Sequence, residues 1–236
     1  MLAPAPSFDP DRVGPGRSMT GAESSLADRA YRRLVACLRD GSLAAGAFVS
    51  VPELVERLDL PLAATREAVR QADANGLLRV VPKRGVMVMG ASPGFIRDCM
   101  DLRRMLDAEG ARRLVAAGAE LPLADLRAVH VALIEEAERA LTPGLPRRAA
   151  LADLALHDAL SAGLGNPLAL AAYQVNRDRI AIVQNNRPVP PDRIVSAMRE
   201  HLAILEALDQ GDAKAAVAAI DLHHRATLRW WGILEP

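Results

Sequence analysis

Aromatic side chains are scarce, with three Phe, two Tyr and two Trp in 236 residues, so the core must be aliphatic. Cysteine is equally rare. Cys37 and Cys99 stand far apart, in neither a C-x-x-C nor a zinc-knuckle spacing. That leaves no cysteine framework and predicts two free, buried thiols in a reducing compartment, the cytoplasm. Net charge is also missing: 29 Lys and Arg balance 29 Asp and Glu. No global field draws the chain to nucleic acid or to an anionic membrane, and any basic patch must be local. No apolar run approaches the about 18 residues that cross a bilayer, so no membrane partner is expected. Residues 1–22, rich in Pro and Gly and without a hydrophobic signal core, are expected to be a flexible tail.

Half of the residues are hydrophobic, enough for one or two real cores. The chain divides near residue 90. Leu26, Ala30, Leu34 and Leu38 recur every four residues and describe one face of a helix that Gly41 ends. Residues 51–58 read as a second helix and 63–76 as a third. Next, Val80-Val81 and Val86/Val88 flank the turn sequence Pro82-Lys83-Arg84-Gly85, a β-hairpin or wing. Residues 23–90 are therefore expected to be a winged helix-turn-helix, three helices plus a β-hairpin, which places a recognition helix and a basic wing against duplex DNA. Between residues 60 and 90 the cations Arg66, Arg70, Arg79, Lys83 and Arg84 outnumber Glu67 and Asp73. Such a local excess can neutralise phosphates, and a solvated face would carry the same charges.

The stretch from Leu26 to Gly90, including Leu38-Arg39-Asp40-Gly41-Ser42-Leu43, Thr65-Arg66-Glu67-Ala68-Val69 and Asn75-Gly76-Leu77-Leu78, resembles the winged helix of GntR regulators. The resemblance implies DNA-binding roles for Arg66 on the recognition helix and Gly85 in the wing near the minor groove, and Thr65, Arg70, Lys83 and Arg84 are expected to bind DNA beside them. Two positions depart from the pattern. Leu62 stands where the family carries a first Arg, and Pro61 where it carries a Ser/Thr cap. A leucine offers a thymine methyl apolar contact instead of a bidentate bond to guanine, so the operator is expected to differ from the usual one.

Residues 91–236 are apolar-periodic stretches broken at Leu121-Pro122, Pro143-Gly144, Gly165-Asn166-Pro167, Pro188 to Pro191 and Gly211-Asp212. They predict an antiparallel all-helical bundle of about six helices. Asp153 and His157, four apart, stack on one face. His201 continues the apolar row Ile194, Ala197, Ile204, Leu208, and a third histidine comes from the pair His223-His224. Three imidazoles and a carboxylate converging in a bundle suit a divalent ion such as zinc, nickel or manganese. A single inward histidine is more often a hydrogen-bonded core residue, and periodicity does not choose between His223 and His224. His130 and the pair Trp230-Trp231 receive no chemistry, the tryptophans being read as packing at a domain or subunit contact.

The pattern Asp153-x-x-Leu156-His157, then Gly165-Asn166, Glu200-His201-x-x-Ile204-Leu205, Gly211-Asp212 and His223 resembles the FCD domain of the FadR subfamily of GntR regulators. That resemblance implies the metal ligands Asp153, His157, His201 and His223. It also implies an effector-binding and dimerisation role, with Arg103, alone on an otherwise uncharged helix face, meeting an organic acid. An internal salt bridge of Arg103 with Asp153 or Asp107 is the alternative reading. Asn176 and Asn185 are further candidates to line the effector pocket, as is Arg177.

The function expected is a homodimeric, ligand-responsive repressor that binds a double-stranded DNA operator and senses a small organic acid through a metal-containing domain. It is not expected to be an enzyme. A metal-dependent enzyme acting on small carboxylic acids is the alternative of another class, though a general base outside the ligand set is lacking. An interaction protein that has lost operator binding, motivated by Leu62 and Pro61, is the third reading.

Overall fold

The computed structural model describes residues 25–119, 121–187 and 190–233; the expected tail, residues 1–22, lies outside them. The elements follow in the order α1 (Leu26–Arg39), β1 (Phe48–Val49), α2 (Val51–Leu58), α3 (Leu62–Ala74), β2 (Leu78–Val81) and β3 (Gly85–Val88), then α4 (Pro93–Ala117), α5 (Leu123–Arg139), α6 (Leu145–Ala162), α7 (Pro167–Asn186), α8 (Pro191–Asp209) and α9 (Ala213–Trp230). This is the mainly α fold expected, a winged helix followed by a helical bundle.

The first two helices start on side-chain caps. Ser25 and Asp28, and Ser50 and Glu53, form reciprocal capping boxes that satisfy otherwise orphaned amides. α3 starts on Pro61 with no side-chain cap, as the departure at that position foretold. Ala30, Leu34 and Leu38 are buried, whereas Leu26, expected on the same face, is half-exposed; it lies in the first turn, at the edge of the core.

The sheet has the order β1-β3-β2, with Val81 opposite Gly85 and Leu78 opposite Val88. Sequence periodicity did not announce β1, whose Val49 pairs with Val86. That pairing explains Gly85. At φ +109°, a Cβ there would sit 2.6 Å from the Val49 carbonyl oxygen, so the strand crossing leaves no room for a side chain.

In the bundle, α4 and α6 lie side by side at backbone distance. A Cβ on Gly110 would meet the Leu160 oxygen at 2.1 Å, and one on Gly163 the Gly110 oxygen at 2.4 Å. Leu156, Leu160, Ile204, Leu205 and Ile220 form an aliphatic core beside them. A second core joins the two regions: Leu34, Leu54, Leu77 and Val86 pack in one cluster with Ile96, Met100, Ile180, Val183 and Leu228. α7 fastens the winged helix. Asp178 accepts from Arg39, with Nε at 2.7 Å, Arg179 donates to the Asn75 carbonyl at 2.8 Å, and Asn185 donates to the carbonyls of Leu38 and Arg39.

Both cysteines are free; Cys99 is buried, but Cys37 is only half-buried, against expectation. It lies one position off the buried row of α1, where the side chain reaches the helix flank. Burial pushes the Cys99 thiol up to about 12. Trp231 packs against the shared core and its carbonyl accepts from Arg187, while Trp230 is exposed. Among the described residues no helix is long and apolar enough to cross a membrane.

Candidate metal centre

The close approach of α4 to α6 sets up the site. The two helices match in register, Arg103 with Asp153 and Asp107 with His157, each pair fifty residues apart. α8 and α9 close the other side with His201 and His223. Asp153, His157, His201 and His223 are all buried, and one donor atom from each lies within 4.8 Å of every other. Asp153 Oδ1 stands 3.4 Å from His201 Nε2, 3.6 Å from His157 Nε2 and 3.7 Å from His223 Nε2. Donors each about 2.0–2.2 Å from one ion have separations of this order.

Each imidazole is held from behind through Nδ1. His157 Nδ1 is 2.6 Å from Asp107 Oδ2, and His223 Nδ1 is 2.8 Å from Glu200 Oε2. Carboxylate oxygens accept, so both rings carry hydrogen on Nδ1 and turn Nε2 inward; the partners, not hydrogen positions, make that assignment. Glu200 is held in turn by a fork from the buried Arg193. His201 Nδ1 is 3.0 Å from His130 Nε2, and His130 Nδ1 is 2.6 Å from the Leu126 carbonyl oxygen. His130 therefore belongs to the site, although the sequence reading gave it no chemistry; its partner is seventy-one residues away and no spacing announces it.

The electrostatics keep Asp153 ionised and His201 neutral. Burial opposes ionisation of Asp153, but Arg103 and the imidazoles outweigh it and hold its carboxyl well below the ordinary range. Burial and Arg103 disfavour a charged His157, yet Asp107 and Asp153 prevail and raise its pKa. Burial, with His223 beside it, holds His201 well below the ordinary imidazole value and so neutral. His157 Nε2 is buried without a hydrogen-bond partner. An inward-facing, orphaned nitrogen beside an ionised carboxylate and a neutral imidazole is a donor set for a divalent cation, and the residues fit one.

Around this centre the sequence-derived candidates separate. Arg103 turns its fork onto Asp153, Nη1 to Oδ2 at 2.8 Å and Nη2 to Oδ1 at 3.2 Å, so the internal salt bridge weighed from the sequence is present. Asn176 is buried and donates to the Cys99 carbonyl at 2.8 Å, leaving its own oxygen unpartnered. Asn185 is not brought to the pocket. It reaches the end of α1, and its neighbour Gln184 takes the inward position, donating to Asp153 Oδ2 at 2.9 Å. One residue turns a helix by about 100°, which suffices for the exchange. Arg177 pairs with Asp158 at 2.6 Å, and Tyr173 donates to the same carboxylate. His224 points away from the cluster, 3.0 Å from Asp101. A narrow space of about 10 Å³, room for about one water, opens beside the centre, bounded by Met100, Arg103, Asp107, His157, His223 and His224.

On the winged helix, Arg66 and Arg70 are exposed on α3, and Lys83 and Arg84 at the wing tip, where Lys83 takes a left-handed φ of 63°. Arg70 is paired with Glu67, with Nε at 3.0 Å. Thr65 departs from the DNA-contact reading: it is fully buried, and its hydroxyl donates to the Leu60 carbonyl at 3.4 Å. It shares the inward face of α3 with Ala68, Val69 and Ala72.

Residues 98–226 match the FCD domain family. The chain is 27% identical over 221 residues to an uncharacterised HTH-type transcriptional regulator, BphR, of Paraburkholderia xenovorans strain LB400, covering 89% of this chain and 88% of that one. An HTH-type transcriptional regulator of Agrobacterium vitis is 26% identical over 155 residues, 63% of this chain and 88% of the relative. Among solved structures, E. coli McbR/YncC is similar in fold, with a TM-score of 0.70 at 17% identity over 88% of this chain and 98% of its own. A GntR-type regulator from Rhodococcus sp. RHA1 gives 0.67 at 19% over 89% and 99%.

Proposed function

This chain belongs to the FCD-domain family of GntR-type transcription regulators, and from that premise we propose that it is a metal-dependent sensor of a small organic acid that adjusts its hold on an operator. The observation that carries the reading is the convergence of Asp153 Oδ1 with three imidazoles, each backed at Nδ1 by a fixed partner. Asp153, His157, His201 and His223 would hold the ion, zinc, nickel or manganese. Bound there, it supplies positive charge and open coordination for an anionic oxygen.

Arg103 borders the narrow space beside the centre and is the cation that an effector carboxylate would meet, in exchange for part of its bond to Asp153. Asn176, buried with a free acceptor, is kept as a further effector contact. Response passes through α7. Gln184 holds the metal-facing Asp153, and the adjacent Asn185 holds the end of α1, so a shift at the carboxylate moves the helix that carries the winged helix. The shift is only as large as the difference in effector affinity between the two arrangements.

On DNA, Arg66 reads a base edge from α3, while Arg70, Lys83 and Arg84 neutralise phosphates. A homodimer on a roughly palindromic operator follows from the short reach of one winged helix. Residues 23–90 serve the DNA and 91–236 the effector and the dimer contact.

The test is native mass spectrometry of protein purified without chelator or metal column, followed by gel shifts on the upstream region of its own gene with and without added small carboxylic acids. A dimer with one metal per chain, whose operator affinity changes with an acid, is expected. Substoichiometric metal, with no thermal shift on adding zinc, nickel or manganese, would overturn the metal reading.

A further inference from the structure

We infer that His130 is a positioning residue of this centre, one that fixes the tautomer of His201 so that its Nε2 lone pair faces inward; the inference rests on the metal reading above. His157 and His223 are backed by carboxylates, Asp107 and Glu200, and a carboxylate acceptor draws the ring hydrogen to Nδ1 by charge alone. His201 has no such anion behind it. Its Nδ1 faces another imidazole, itself fully buried, whose centroid is 5.0 Å away and whose plane is nearly perpendicular at 76°.

The direction of hydrogen bonding in this pair is set from its far end. The Leu126 carbonyl can only accept, so His130 Nδ1 carries the hydrogen, 2.6 Å away. His130 Nε2 is then an acceptor, and His201 Nδ1 donates to it at 3.0 Å. The relay starts at a helix backbone, which cannot change its polarity.

The relay has a competitor. Asp153 Oδ1 lies 3.4 Å from His201 Nε2 and His223 Nε2 lies 3.3 Å from it, and either would accept a hydrogen from it if the ring adopted the other tautomer. That arrangement would engage two of the four donor atoms together, the nitrogen because it is protonated and its acceptor because it is bonded to that proton. Without an acceptor at position 130, Nδ1–H of the fully buried His201 would lose the partner it has there, and the other tautomer would gain. A neutral relay anchored on a carbonyl keeps the nitrogen open without adding a third buried anion behind the imidazoles.

The experiment compares the full chain with His130→Leu, which removes the acceptor, and His130→Gln, whose side-chain oxygen can still accept. Long-range proton–nitrogen correlation spectra of histidine-labelled protein, stripped of metal by chelator, report the His201 tautomer; zinc affinity is then measured by chelator competition. The parent and His130→Gln should show hydrogen on His201 Nδ1. His130→Leu should lose that signature and bind zinc about 10- to 100-fold more weakly, as loss of an outer partner does elsewhere, with His130→Gln recovering most of the affinity. An unchanged tautomer in His130→Leu, or equal zinc affinity in parent and His130→Leu, would overturn the inference. Zinc failing to bind a parent that shows the expected tautomer would sink the metal reading and, with it, the positioning role, while leaving the relay itself established. If His130→Leu does not fold, hydrogen on Nε2 of His201 in the parent would by itself overturn the inference.

Discussion

Before residue 103 the only buried polar side chain among the described residues is Thr65; from Arg103 onward burial takes in His130, Asp153, His157, Asn176, Gln184, Arg193, His201 and His223 among others. The winged helix buries aliphatics and leaves its arginines exposed to water. The bundle does the reverse. It removes charges from water, where each costs several kcal/mol unless paired, and it pairs them in chains that end on backbone carbonyls or on Arg–carboxylate forks. The surface proposed to read DNA works by exposure and the site proposed to hold a small ion works by enclosure, and one chain carries both.

The contrast is broken most severely at Gly110. Gly110→Ala places a Cβ against the Leu160 oxygen and forces α4 from α6, so urea unfolding should show a loss of about 3 kcal/mol or more, and zinc binding should fail. Wild-type stability in that variant would mean that the helices part at no cost and that enclosure does not depend on their contact. Next in size, His201→Ala should abolish the stabilisation by added metal, about 2.7 kcal/mol for the parent at a hundredfold excess over Kd, and leave operator binding by the unliganded protein intact.

Arg66→Ala tests the exposed side. Operator affinity should fall by about 1–3 kcal/mol if Arg66 reads a base, with the metal-induced thermal shift unchanged; parental binding at several salt concentrations would remove the docking proposed. The smallest effect is on pH. Because its folded pKa is raised, the charged form of His157 contributes stability that is present below the ordinary imidazole pKa and lost as pH rises through the raised value. Metal needs that nitrogen unprotonated, so its stabilising effect should run the other way, falling by about 1 kcal/mol between about pH 7 and about pH 6. Thermal shifts with and without zinc across that range read the sign directly.

The winged helix was the more legible half because local periodicity decides it. The span of α2 follows from apolar spacing and a Ser cap. β1 did not, since two residues have no period. Thr65 is expected among the DNA contacts, yet it sits three and four positions before Ala68 and Val69, on the buried face. In the bundle, Asp153 and His157 were legible from their four-residue spacing and His201 from its place on an apolar row, whereas the choice of His223 over His224 came from the family pattern. Gln184 was missed for Asn185 because Ile180, Ala181, Ile182 and Val183 are all buried in succession. A helix enclosed on several sides has no polar face to fix its rotation. His130 lay beyond any spacing argument, since only tertiary contact joins α5 to α8.

The backbone contact between α4 and α6 has a mechanical side. A spacer made of side chains has rotamers and yields under load; one made of a glycine against a carbonyl has none. The two helices therefore act as a stator, and Arg103, Asp107, Asp153 and His157 ride on it as a fixed frame. α7 meets this frame through Gln184 on Asp153, Arg177 on Asp158 and Asn176 on the Cys99 carbonyl, and in the response proposed above it is the lever that would pass a displacement at the centre to the winged helix.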